Sequence, residues 1–377
     1  MNQEILPILQ KLISYKSVTP RGADAIEYIS DKLSKHGFSC EIKSFGEGEE
    51  KVTNLYAIYG DQKPNICFAG HVDVVPPGPH ELWSSDPYNM KIDGNTVYGR
   101  GTVDMKGAIS CSLAAAIHYL EHNKPNGSIS FLLTTDEEGK AKYGTEMMLE
   151  HIKNKEPSID FCILGEPTTM QNIGDTIKIG RRGSINFDLT IYGKQGHVAY
   201  PEKAFNPLPI MVSILKEINE HVFDNGSEFF QKTNLELTSI DTGNHVTNII
   251  PESVNAKFNI RFNNTQNSGD LVIKITKIVS KYSDNFDIKH NSSSSPFIQE
   301  YSKKMQAFAD IVESECKVKP KFETGGGTSD ARFIYKHAEV IEFGLNCNLA
   351  HKINEYTKIS DLQTLYNVYY NTLVKFL

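Results

Sequence analysis

No apolar run in this 377-residue chain approaches the length of a membrane span. The first apolar stripe, Ile5, Leu6, Ile8, Leu9, Leu12 and Ile13, has helical spacing, is interrupted by Glu4 and Gln10, and lacks a following small-residue cleavage site. It reads as an amphipathic helix rather than a signal peptide. None of the six cysteines stands in a CxxC pair, which excludes a disulfide framework and suits a reducing cytoplasm. Positive charge is also scarce. Lys and Arg number 39 against 46 Asp and Glu, a net charge of -7. Such a chain is not built to coat nucleic acid or an anionic membrane. No GxGxxG or GxxxxGK[ST] loop follows the first strands, which speaks against a nucleotide-binding α/β protein. No internal repeat is present.

What the chain does contain is alternation. Short apolar runs, NLYAIYG, NICFAG, SISFLLTT and FCILG, are separated by helical patterns such as MKGAISCSLAAAIHYL and GTEMMLEHI. Buried strands alternating with helices predict an α/β domain with a mostly parallel sheet. Near Arg181 the texture changes. SINFDLTIY alternates strictly, a helical stretch follows from about 206 to 222, then TNLELTSI and SVNAKFNIRF, a second helical stretch from about 268 to 282, and FDIKH. That β-α-β-β-α-β order predicts a ferredoxin-like α+β insert. The run Asn291 to Pro296 reads as a linker. The expected division is therefore 1–179 with 294–377 as one domain and 180–293 as an inserted second domain, hinged near Gly180 and Ser293.

The polar residues that follow the apolar runs carry the chemistry. NICFAG leads into His71 and Asp73, SISFLLTT into Asp136, Glu137 and Glu138, and FCILG into Glu166. In open α/β sheets ligands bind beyond the carboxyl ends of the strands. Asp104 lies in a glycine-rich segment before a helical run, where a helix cap is the plain alternative. His351 stands far along the chain, and alone it reads as an ordinary core or surface histidine. Together, two histidines and several carboxylates are too many for one tetrahedral zinc and suit two metals sharing a bridging carboxylate.

His71-Val72-Asp73, Gly99 to Gly107, Asp136-Glu137-Glu138-Gly139, Gly165-Glu166-Pro167-Thr168 and the late His351 resemble, in order, the motifs of the two-zinc aminoacylase/carboxypeptidase family of metallopeptidases. Finer segments resemble its desuccinylase branch. They are Gly180-Arg181-Arg182-Gly183-Ser184, Gln195 to Pro201, Gly326 to Phe333 and His351-Lys352-Ile353-Asn354-Glu355. The resemblance implies a catalytic domain with an inserted dimerisation or lid domain. It implies two zinc ions per subunit, with cobalt as a possible substitute. Asp104 would bridge them, with His71 and Glu166 completing one site and Glu138 and His351 the other. Asp73 would support His71, and Glu137 would act as general acid and base. His197 would reach the partner's active site in a homodimer. The peptide after Asp104 would be cis. Arg181, Tyr200, Asn248, Gly327 and Thr328 would contact the substrate, and Arg261 is a further candidate for its carboxylates.

The expected activity is hydrolysis of a small N-acylated amino acid, a succinylated diamino acid in the desuccinylase branch. The alternatives are a deacetylase or dipeptidase of the same family, or a metal-binding homologue without catalysis. Glu137 argues against the last, because holding metal needs no general base. One position departs from the pattern: Cys347 stands where the branch carries asparagine, with Asn346 and Asn348 on either side.

Overall fold

The computed structural model describes residues 4–377. The chain divides into two compact units. One comprises Met1–Ile179, Gln299–Glu323 and Ser329–Leu377, the other Gly180–Ile298 and Thr324–Thr328.

The first unit is built on a mixed sheet whose centre is parallel. Strand Asn65–His71 lies between Ser128–Thr134 and Phe161–Leu164, parallel to both, and Phe161–Leu164 runs parallel to Glu339–Glu342. Every residue of Asn65–His71 and Ser128–Thr134 is buried, which is why these segments are apolar runs rather than alternating ones. Antiparallel strands complete the flank, Val52–Tyr59 against Ser128–Thr134 and Ser39–Phe45 against Val52–Tyr59. Helix Lys106–His122 packs against helices Ile5–Ser14 and Ile359–Phe376 and against the Asn65–His71 strand. Enclosed in this way, it has no polar face over its first three turns, and even Lys106 is fully buried. Each fully buried Ile or Phe of this core contributes about 1.5–3 kcal/mol.

The second unit is an antiparallel sheet of four strands in the order Asn234–Asp241, Ser253–Phe262, Gly183–Tyr192, Phe286–Ser294. Helices Leu208–Glu220 and Ser268–Val279 supply Met211, Ile214, Ile218, Leu271, Ile275 and Ile278 to a core shared with Ile185, Phe187, Leu189 and Ile191. Chain order and strand order together are those of a ferredoxin-like fold.

Two boundaries differ from the sequence reading. The serine run is no linker: Asn291 to Ser294 continue the edge strand Phe286–Ser294, paired with Gly183–Tyr192. An edge strand with one solvated side tolerates small polar residues, so composition alone misread these residues as a linker. The second unit accordingly runs to Ile298 and also takes Thr324–Thr328, which had been placed in the first domain.

Candidate metal centre

Parallel register brings three strand ends to one rim. His71 ends Asn65–His71 and pairs with Thr134, from which the chain turns through Asp136 to Glu137 and Glu138. Ala69 pairs with Leu164, so Glu166 arrives two residues beyond the same rim. Gly165 is required there, since a Cβ would lie 2.7 Å from the Met105 methyl and 2.8 Å from Ala108.

Asp104 stands between the two histidines. Its Oδ1 is 3.2 Å from His71 Nε2 and its Oδ2 is 3.1 Å from His351 Nε2. Glu166 Oε1 lies 3.6 Å from His71 Nε2, and Glu138 Oε1 lies 2.7 Å from His351 Nε2. Glu137 Oε2 is 3.9 Å from His71 Nε2. Asp104 is not a helix cap. The helix begins at Lys106 without a side-chain cap, and the Asp104–Met105 peptide is cis. The adjacent glutamates point to different imidazoles, which divides their roles.

The profile of peptidase family M20/M25/M40 matches residues 67–375. The chain belongs to peptidase family M20/M25/M40. It is similar to the succinyl-diaminopimelate desuccinylase of Rickettsia bellii (strain RML369-C), 54% identical over 373 residues, covering 97% of this chain and 95% of that protein. Similarity to the succinyl-diaminopimelate desuccinylase of Rickettsia canadensis reaches 56% over 376 residues, 98% of each. Among solved structures, the fold resembles an M20 family metallo-carboxypeptidase from Sulfolobus solfataricus, with TM-score 0.82, 19% identity and 98% of each chain covered. It also resembles human carnosine dipeptidase 1, with TM-score 0.78, 16% identity, and 99% of this chain and 96% of that one covered.

The side chains of this M20 protein fit divalent metal. Nδ1 of His71 donates to the Asp73 carbonyl at 2.9 Å, because a carbonyl only accepts. Its Nε2 is therefore the nitrogen available to a metal. The Asp73 carboxylate does something else. Its Oδ1 stands 3.7 Å from His71 Nδ1, and its oxygens accept from the backbone N–H of Glu137 at 3.4 Å and Glu138 at 3.1 Å. Asp73 thus orients His71 through its carbonyl and the two glutamates through its side chain. Burial pushes the Asp73 carboxyl up to about 6.

Burial, then the charge of Glu166, holds Glu137 well above the usual carboxylate range. Burial disfavours the charged form of His71, yet the Asp104 hydrogen bond and the charges of Glu137, Asp73 and Glu166 hold its pKa well above the usual value. Hydrogen bonds to Asp104 and Glu138 push His351 up to about 10. Two mixed imidazole and carboxylate groups overlap here, His71 with Asp104 and Glu138, and His71 with Glu137 and Glu166. The shorter ion-pair distances assign Glu138 to His351, and we follow them. Asp104 thus presents one carboxylate oxygen to each of two imidazoles.

A consequence is measurable. A pKa pushed up to about 10 would keep His351 protonated at neutral pH, so a metal bound there would displace a proton. Its raised pKa also stabilises the metal-free fold fully below the ordinary histidine value near 6.5, and that contribution is lost as pH rises through about 10. Proton competition at His351 should therefore make metal affinity rise with pH until about 10. Calorimetry in buffers of different ionisation enthalpy should register proton release at pH 7. A buffer-independent enthalpy would contradict this.

The expected substrate contacts, Arg181, Tyr200, Asn248, Arg261, Gly327 and Thr328, all fall in the second unit. Arg181 is buried and donates to the Gly327 carbonyl at 3.3 Å. Arg261 donates to Asn259 at 3.0 Å and to the Gly326 carbonyl at 3.5 Å. Burial and then a neighbouring arginine lower the pKa of both Arg182 and Arg261. Among the described residues neither has a carboxylate partner. Tyr200 and His197 are exposed neighbours with ring centroids 5.7 Å apart, and the Asn248 carbonyl accepts from Val198 N–H at 3.1 Å. Cys347 Sγ meets Met170 Sδ at 3.3 Å. Both flanking amides are engaged locally, Asn346 by the Asn348 N–H and Asn348 by the Met170 carbonyl at 2.6 Å.

Two residues with no role in the sequence reading stand out, Arg100 and Glu355, an ion pair at 2.7 Å buried behind Asp104. Their signal was present in the motifs. Arg100 lies inside the glycine-rich segment and Glu355 closes the segment that begins at His351.

Proposed function

We propose that this M20 protein hydrolyses N-succinyl-LL-2,6-diaminopimelate to succinate and LL-2,6-diaminopimelate, a step of diaminopimelate and lysine biosynthesis. The observation that carries the reading is the placement of one oxygen of Asp104 against each of two imidazoles, with half-buried Glu137 beside them. The desuccinylase relatives, more than half identical over nearly the whole chain, support the substrate.

His71, Asp104 and Glu166 would hold one zinc ion, and Asp104, Glu138 and His351 a second, with cobalt as a substitute. When bound, such ions lower the pKa of water and polarise the amide carbonyl. Glu137 is placed to take the proton of the attacking water and deliver it to the leaving amine nitrogen. The Asp73 carboxylate fixes the backbone of that turn, so Glu137 keeps its aim.

The substrate carries three carboxylates. Arginine's planar fork suits them, and the second unit concentrates Arg181, Arg182 and Arg261 around Gly325–Gly327. We assign Arg181 and Arg261 to those carboxylates, with Tyr200, Asn248, Gly327 and Thr328 as further contacts. His197 accepts the Ala199 N–H at Nδ1, 3.0 Å, so its Nε2 carries the proton in the neutral ring. A free Nε2–H suits a developing oxyanion, and we assign it that role in the partner subunit of a homodimer. Among the described residues no helix is long and apolar enough to cross a membrane, and all six cysteines are free, which supports a cytoplasmic setting.

Titrating the metal-free protein with zinc tests the reading. Succinate release should be absent at first and should rise until two equivalents are bound. Full activity in the presence of excess chelator would overturn it.

A further inference from the structure

The Glu355 carboxylate gathers donors from the segment that carries Asp104. Its Oε1 accepts from the backbone N–H groups of Val103 at 2.8 Å, Gly101 at 3.1 Å and Asp104 at 3.3 Å. Its Oε2 accepts from Arg100 Nη1 at 2.7 Å and again from Gly101 N–H at 3.1 Å. The Glu355 carbonyl accepts from Gly99 N–H at 3.0 Å. Glu355 is 1% exposed and Arg100 is 2% exposed. Arg100 extends the connection. The same Nη1 donates to the Lys352 carbonyl at 3.1 Å, Nη2 donates to the Pro76 carbonyl at 3.4 Å, and the guanidinium lies 5.2 Å from the Trp83 ring centroid.

These contacts join the three backbone segments that deliver metal-facing side chains: the turn after His71, the Gly99–Met105 segment with Asp104, and the 351–355 segment with His351. The last of these needs holding. His351 has φ 63 and Asn354 φ 58, left-handed conformations that non-glycine residues rarely adopt. Asn354 is anchored through its side-chain oxygen, which accepts from Ser84 N–H at 2.7 Å.

We infer that Glu355, with Arg100, is a positioning residue that sets Asp104 against His351 before any metal arrives. The inference rests on the two-metal reading of the site. Glu355 touches neither substrate nor metal; it acts through the backbone of Asp104. A buried carboxylate held by three backbone N–H groups and one guanidinium is costly to place. Here it fixes a loop that lacks regular structure of its own. Partners behind metal ligands commonly matter about 10–100-fold in metal affinity.

The test uses the full-length protein, with zinc as the probe and a chromogenic chelator as competitor. The unaltered protein should bind two equivalents; failure of that alone would overturn the two-metal reading. In Glu355→Gln the equivalent held by Asp104, Glu138 and His351 should weaken about 10–100-fold. The zinc-induced rise in Tm should shrink with it. Arg100→Gln combined with Glu355→Gln removes both buried charges together and should show the same weakening. A folded Glu355→Gln that binds both equivalents like the unaltered protein, with an equal zinc-induced rise in Tm, would overturn the inference. Hydrogen exchange on the unaltered protein needs no variant. The amides of Gly101, Val103 and Asp104 should be protected already in the metal-free state. Protection that appears only on adding zinc would show that metal, not Glu355, sets the loop.

Discussion

Glu137→Gln should retain both zinc ions and lose about 10²–10⁴-fold in turnover of the succinyl substrate, the usual worth of a positioned general acid and base. The side chain keeps its length, so the site keeps its shape. Glu137 is also the acidic residue of the pair that makes no close contact to His351; that contact, at 2.7 Å, belongs to Glu138. What the amide loses is the ability to take a proton from water and return it to the amine. The loss should appear in kcat more than in KM, because the proton moves only in the reaction. Metal analysis alongside kinetics decides between the neighbours. Zinc loss in Glu137→Gln with retention in Glu138→Gln would exchange their roles.

Asp104→Ala should have the larger effect on metal. Every other ligand proposed here serves one ion, whereas Asp104 offers one oxygen to each imidazole. Its removal should abolish tight binding of both ions, while His351→Ala should weaken one and spare the other. Stability provides a second readout. A ligand present at 100 times its Kd stabilises the folded state by about 2.7 kcal/mol. The unaltered protein should show a zinc-dependent rise in Tm of the size this implies, and Asp104→Ala should show none. In the metal-free state the hydrogen bonds from His351 and His71 offset burial and hold the Asp104 carboxyl below the usual range. Its replacement also removes the counter-charge of two imidazoles, so the metal-free Tm should fall as well. Two bound zinc ions in Asp104→Ala would contradict the shared-ligand assignment.

Much of this centre was legible in the chain. His71, Glu137, Glu138 and Glu166 each follow an apolar run, and parallel strands carry their carboxyl ends to one rim. Asp104 and His351 were legible only by resemblance, because one sits at a helix entrance and the other in a loop with no periodicity. Asp73 stands where support of His71 was expected, with its carboxylate 3.7 Å and its carbonyl 2.9 Å from Nδ1. A spacing of two shows that it shares a direction with His71, but cannot show that its carbonyl is the nearer acceptor. Glu355 was legible as the end of the segment that begins at His351, but its role was hidden for a related reason. Its partners are backbone N–H groups of Gly101, Val103 and Asp104, more than 250 positions away, and backbone donors leave no mark in a sequence. The strand through Ser292–Ser294 was hidden by composition that ordinarily marks loops.

The central claim concerns the acyl group, and Cys347 is where the chain departs from the branch it otherwise resembles. Its flanking asparagines are engaged with the loop and with Met170. The direct measurement restores two equivalents of zinc to the metal-free protein and compares amine release from N-succinyl-LL-2,6-diaminopimelate with that from N-acetylornithine. The account predicts zinc-dependent turnover strongly favouring the succinyl substrate. Zinc-dependent turnover of N-acetylornithine alone would contradict it, leaving the fold and the metal centre in place and the substrate assignment overturned.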